Sequence, residues 1–263
     1  MMNKNIKVFF IGLILSYVGE LCPTSAAERV MNIGDITPVK DGMSKEEAKE
    51  AILSFLKNEV FKPENEIKQG DIISDTTKAF GARTAEKSRI ITLKDGTQWI
   101  AGDKGLQRFL GALYLKKAIE HHGLHQWRAV ETKFILKNTG ETITIQVKKS
   151  QDDPLKNIFT INSDKFISFS RYIGDDKVTN TDLEKILGDL IERHAITHAT
   201  GFFDMGSAGE YPNLRIQDHK ITLIDTEYSS FKNANKVQPP SEKTELELGG
   251  TTFTFPINEL MGK

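Results

Sequence analysis

The chain has 263 residues, a formal net charge of −1 and a single cysteine, Cys22. Its 36 acids and 35 bases are interspersed, which argues against a basic stripe for nucleic acid and against a lysine-rich membrane face. A chain of this length buries about 70% of its unfolded surface, enough to be held by its core without disulfides.

Lys4 and Lys7 precede an apolar run, Val8 to Val18, and the small residues Ser25-Ala26-Ala27 follow it. The run is shorter than the roughly 20 apolar residues a bilayer span needs. Residues 1–27 are therefore expected to be a secretory signal peptide, giving a secreted or periplasmic protein with no stable membrane association after cleavage. Cys22 lies in that segment in a poor lipoprotein context, so the mature chain, from about Glu28, has no cysteine.

Ser44-Lys-Glu-Glu47 is a capping box ahead of Ala48, Ala51, Ile52, Phe55 and Leu56 at helical spacing, which predicts a helix over 45–58. Residues 59–88 give no clear element, with a turn at Lys62-Pro63-Glu64-Asn65 and Gly81 interrupting a polar segment. Arg89–Lys94 and Thr97–Ala101 flank Asp95-Gly96, a strong hairpin signal. A helix follows over Leu106–His121, with Leu106, Phe109, Leu110, Leu113, Tyr114 and Ala118 on its apolar face. Gly123 ends it between His121 and His125, against a shared metal ion.

Strands are expected at Glu131–Lys137 and Glu141–Lys148, joined by the turn Asn138–Gly140, and at Asn157–Ile161 and Lys165–Tyr172. Gly174-Asp175-Asp176 opens a linker. Thr181-Asp-Leu-Glu184 is a second capping box, predicting a helix from 182 to about 195, with His198 beyond it as a partly buried residue. Two short β-rich runs, Leu214–Ile216 and Ile221–Ile224, then form a hairpin across Gln217–Lys220. That hairpin brings Asn213 at its entrance near Asp225 at its exit, with Asp204 upstream on the apolar lead-in Gly201-Phe202-Phe203. Thr244–Leu248 and Thr251–Phe255, split by Gly249-Gly250, read as a terminal hairpin.

An acid before a loop, an amide at the loop's end and an acid after a hairpin is a layout suited to phosphoryl transfer. One carboxylate orients the attacking hydroxyl, while a carboxamide and a second carboxylate hold the magnesium that neutralises the phosphates. Asn213-Leu-Arg-Ile, a turn, then Ile-Thr-Leu-Ile-Asp225 resembles the catalytic loop and metal-binding hairpin of the protein kinase-like superfamily, at its divergent end. The order of elements agrees with that superfamily over residues 89–231.

The resemblance implies an α+β, two-lobed kinase-like fold with a minimal, truncated C-terminal lobe. The signal peptide would be followed by an accessory segment at 28–88, a small β-rich lobe at 89–174 and a reduced lobe at 175–263. It implies Asp204 as the catalytic base or orienter of the attacking hydroxyl, Asn213 and Asp225 as Mg²⁺ ligands with Glu227 nearby, and Lys104 as the contact to the phosphates of ATP, oriented by Gln107. Backbone groups near Phe169–Tyr172 would meet the adenine, and Phe80-Gly81-Ala82 would be a degenerate phosphate-covering loop or an ordinary one.

The chain departs from the family's pattern in several places. No His-Arg-Asp precedes the loop, and Thr226-Glu227 stands where the family has Phe-Gly. The helix after Lys104 has no glutamate in its first turns, and the large helical substrate-binding region is missing. The expected activity is transfer of the γ-phosphate of ATP to a hydroxyl of a protein or small molecule by an exported protein that reaches a host cell or an ATP-supplied lumen. The alternatives are a pseudokinase acting as a secreted scaffold or effector, and an unrelated secreted α+β protein.

Overall fold

A computed structural model describes residues 38–40, 42–79, 87–102, 105–137, 142–147, 160–161, 166–188, 190–205, 210–227, 231, 248 and 250–262. The expected signal peptide, Phe80-Gly81-Ala82, Lys104 and the first arm of the expected terminal hairpin up to residue 247 lie outside the described residues. The fold is mixed α+β. Among the described residues no helix is long and apolar enough to cross a membrane.

The largest sheet among the described residues is antiparallel and five-stranded, in the order β1-β2-β3-β8-β5. Its strands are β1 (Ile72–Ala79), β2 (Lys87–Leu93), β3 (Gln98–Ala101), β5 (Thr132–Leu136) and β8 (Phe166–Arg171). Asp95-Gly96 makes the turn between β2 and β3 as its sequence requires. Gly96 sits at φ 80°, and the Asp95 carboxylate accepts from the Thr97 N–H at 2.9 Å.

Residues facing each other across antiparallel strands share a face. Ile91, Leu93, Trp99, Ile135 and Phe169 therefore form one buried layer, closed by Ile67. Ile90, Ile100, Ser168, Ser170, Phe134 and Phe166 form the opposite face. Against that face lies a long helix, α2, as the second helix after α1 (Lys45–Phe55). It runs over Leu106–His121, the boundaries its apolar spacing predicts, and its Phe109 ring meets Phe134 and Phe166 edge-on at 6.1 Å.

Helix α1 begins where the capping box places it. The Ser44 Oγ accepts from the Glu47 N–H at 3.2 Å and the Glu47 carboxylate accepts from the Ser44 N–H at 2.8 Å. The backbone bond from Ser44 holds the Glu47 carboxyl below its usual range. One wider turn carries the helix on to Val60, sending Ile52, Leu56, Val60 and Phe61 into the main core against Phe134 and Phe166. Ser44→Ala is expected to cost about 1 kcal/mol, seen by calorimetry as a fall in Tm of about 2–4 °C.

Three expectations need correction, and one segment without a clear reading contains a strand. Residues 59–88 include β1, an edge strand whose Asp75, Thr76 and Thr77 hide its periodicity. It is tied to β2 by the Arg89–Asp75 pair at 2.6 Å, whose guanidinium hydrogen bond holds the Asp75 carboxyl low. The second cap is Thr179, not Thr181. Thr179 and Asp182 form the reciprocal box of α3 (Asn180–Leu187), and Gly188 at φ 76° ends that helix before α4 (Leu190–Thr200). His198 on α4 is exposed rather than partly buried.

The remaining correction concerns pairing. The strand that follows β5, β6 (Thr142–Gln146), does not join the β5 sheet. It forms its own sheet with β7 (Thr160–Ile161) and β13 (Thr252–Pro256), the strand expected in a terminal hairpin. Ile143 and Ile145 face Phe253 and Phe255 on the buried side of that pairing, because alternation places all four inward. A short helix, α5 (Ile257–Leu260), follows and buries Ile257 and Leu260.

Candidate active site

The expected hairpin is present as β11 (Leu214–Gln217) and β12 (Lys220–Leu223). Asp218 and His219 at its tip both have positive φ, 51° and 59°, the two-residue turn whose twist suits a tight hairpin. β12 also pairs in parallel with β4 (Trp127–Ala129), which anchors the hairpin below the end of α2. Leu214 opposite Leu223 sets the register, and the Ile224 N–H donates to the Asn213 carbonyl at 3.0 Å. Asn213 and Asp225 therefore flank the same end of the hairpin.

Asp204 comes from the loop after α4. Thr200, fully inside, receives the Tyr114 hydroxyl of α2 on its carbonyl at 2.8 Å and the Phe202 N–H on its Oγ1 at 3.1 Å. Phe202 is buried and packs edge-on against Phe231, which also meets Tyr114. These contacts turn the chain so that Asp204 emerges half-buried beside Asn213. The Asn213 Nδ2 donates to the Asp204 carbonyl at 2.8 Å. A carbonyl only accepts, so the amide nitrogen faces it and Oδ1 is the end that can ligate a cation.

Further along the chain, β10 (Glu210–Tyr211) pairs with β9 (Val178–Thr179) of the connector. Arg215 clamps the hairpin to the same connector by donating to the Gly174 carbonyl at 2.8 Å. Burial lowers the Arg215 pKa while Asp175 opposes it. The N–H groups of Arg171 and Tyr172, in the stretch expected near an adenine, donate to the Glu131 and Gln98 carbonyls at 2.9 and 2.8 Å.

Asp225 and Thr226 are held directly against α2. The Arg108 Nη2 donates to the Asp225 Oδ1 at 3.1 Å, with the two side chains 17% and 32% exposed. The Thr226 hydroxyl donates to the Arg108 carbonyl at 3.2 Å. Gly111, one turn further along α2, allows this approach. A Cβ there would overlap the Thr226 carbonyl oxygen and lie 2.9 Å from its carbon.

Three of the predicted residues, Asp204, Asn213 and Asp225, are thus brought to one loop and hairpin. Gln107 is half-buried in the first turn of α2, and its neighbour Arg108 is the one that reaches Asp225. Sequence reasoning missed Arg108. The signal was a cation in the first turn of the helix, one position from the residue considered.

Magnesium is held by one or two carboxylates, with substrate phosphates and water completing its octahedron. Asn213 Oδ1 and Asp225 suit that pattern. Among the described residues no group of three His, Cys, Asp or Glu forms a closed metal cage. The α2-facing side of the sheet above carries two buried hydroxyls, Ser168 and Ser170, that find no hydrogen-bond partner among the described residues, as does the Arg108 Nε. Such orphans cost about 1–3 kcal/mol each unless something completes them, and a polar ligand would.

Comparison with protein-family models, curated proteins and solved structures finds no match for this chain.

Proposed function

We propose that this chain is an exported, kinase-like phosphotransferase that moves the γ-phosphoryl group of ATP onto a hydroxyl of a protein or small molecule. The observation that carries this reading is the convergence of Asp204, Asn213 and Asp225 through the Asn213–Asp204 hydrogen bond and the β11–β12 register. Further support comes from the order of elements: antiparallel sheet, helix laid on it, connector, helix, acid, amide, hairpin, acid.

In the transfer, the Asp204 carboxylate takes the proton of the acceptor hydroxyl. The acceptor oxygen bonds to the γ-phosphorus as the bond to the β–γ bridging oxygen breaks, and ADP leaves. Asn213 Oδ1 and Asp225 would hold Mg²⁺, which supplies neutralisation of phosphate charge. The Asn213–Asp204 bond fixes the distance between the base and the metal-binding end.

The test is the melting temperature of the mature chain with and without MgATP, paired with a transfer assay on γ-labelled ATP. Ligand at a hundred times its Kd stabilises by about 2.7 kcal/mol, or about 5–10 °C for a chain of this size. Asp204→Ala is expected to keep that shift and lose transfer by at least a hundredfold, the scale of general-base catalysis. No shift at millimolar MgATP would refute the nucleotide site. A shift without ADP formation or label transfer would instead define a nucleotide-binding scaffold.

A further inference from the structure

We infer that Arg108 is the cation that meets the nucleotide's phosphates, and that Gly102 is kept small to let it in. This rests on the nucleotide reading above and names the residue that reading lacks. The resemblance places that cation on the strand side, as a lysine after β3. The described geometry brings a guanidinium to Asp225 and the end of β3 from the helix side.

Gly102 is the first residue beyond β3, and its N–H donates to the Ser168 carbonyl at 2.8 Å. A Cβ built on Gly102 would lie 2.6 Å from the Arg108 Cδ, 2.7 Å from its Nε and 3.1 Å from the Ser168 Oγ. The Arg108 stem thus occupies the space into which a side chain at the end of β3 would project. No real Cβ tolerates contacts that short, so any larger residue at 102 must displace the arginine.

A structural latch would need little more than the bond to Asp225. Arg108 offers five N–H donors in a planar fork, the geometry that phosphate oxygens match. One donor, on Nη2, meets Asp225, while Nε is buried with no partner among the described residues. The Ser168 hydroxyl, which is 0% exposed and also without a partner, borders the same point over Gly102. A buried guanidinium donor and a buried hydroxyl, both short of an acceptor and next to the acid that would hold the metal, fit an anion rich in acceptor oxygens. Phosphate is that anion, and the chemical class is a nucleoside di- or triphosphate rather than a nucleoside.

The experiment compares ATP, ADP and adenosine binding, by calorimetry with Mg²⁺, in the parent chain, Arg108→Gln and Lys104→Ala. Glutamine keeps the stem and an N–H donor near the position of Nε but removes the charge. Losing a charge-assisted contact lowers ATP and ADP affinity by about ten- to a hundredfold. Adenosine affinity in Arg108→Gln is expected to stay within about twofold of the parent. Loss of all three ligands together would reduce Arg108 to a latch for the Asp225 loop and overturn the inference. It is also overturned if Arg108→Gln binds ATP like the parent while Lys104→Ala does not. Failure of the parent to bind ATP at all sinks the underlying reading instead, so the two failures are told apart.

A second variant covers misfolding of Arg108→Gln. Gly102→Ala leaves Arg108 in the sequence but pushes its stem aside, and is expected to show the same phosphate-selective loss. Equal ATP affinity in a folded Gly102→Ala chain would count against the assignment.

Discussion

In Asp225→Asn the magnesium-dependent rise in melting temperature is expected to disappear, while the ligand-free protein stays folded. The two halves have separate causes. Asparagine has nearly the shape of aspartate, and its Oδ1 can still accept from the Arg108 Nη2, which lies at 3.1 Å in the parent. What changes is an ion pair to a hydrogen bond whose only charge is the guanidinium's. With both side chains partly exposed, that costs about 1 kcal/mol, a fall in Tm of about 2–4 °C. Magnesium, by contrast, needs the carboxylate, because a neutral amide neither offsets its charge nor repays the loss of its tightly held water. The parent shift of about 5–10 °C should therefore collapse to the small shift given by ATP without metal. Retention of the full magnesium-dependent shift in Asp225→Asn would remove Asp225 from the metal site.

Gly111→Ala is the other large effect, and it tests the architecture that presents the acid. Alanine in a helix interior is favoured over glycine by about 1 kcal/mol. Here the added methyl meets the Thr226 carbonyl, which is backbone and has no rotamer to change. Overpacking of that kind costs up to about 3 kcal/mol or more, so the net loss is about 2 kcal/mol, or about 4–8 °C in Tm. Thr226 is 0% exposed and its hydroxyl is bonded to the Arg108 carbonyl, so it cannot move away without breaking that bond. Nucleotide affinity should fall with stability, since Asp225 precedes Thr226. Gly70→Ala is the control, because nothing lies within 4 Å of its would-be Cβ. A thermal scan in which both variants melt alike would show that α2 is not pressed against the acid-bearing loop.

Local chemistry wrote the most legible features into the sequence. α2, the Asp95-Gly96 hairpin and the β11–β12 hairpin appear at the expected places, because periodicity and turn residues act over a few positions. The neighbourhood of Asn213 and Asp225 followed from the same short range. Features that failed were decided at longer range or by competing polarity. β1 is an edge strand whose Asp75, Thr76 and Thr77 are tolerated because only one side of it is paired. The cap of α3 moved to Thr179 because that residue also ends β9, a pairing with β10 that no local pattern announces. Arg108 was invisible for a further reason. Its importance comes from Gly102 on one side and Asp225 on the other, residues that meet it only in three dimensions.

The sheet formed by β6, β7 and β13 has a temporal consequence. Ile143 and Ile145 wait for Phe253 and Phe255, which are made long after them. Until those aromatics arrive, an apolar strand in the middle of the chain has an unsatisfied edge, the kind of surface that chaperones bind and that stray chains pair with. The protein's period of greatest risk is therefore its biosynthesis, and it ends when the segment around Phe255 docks.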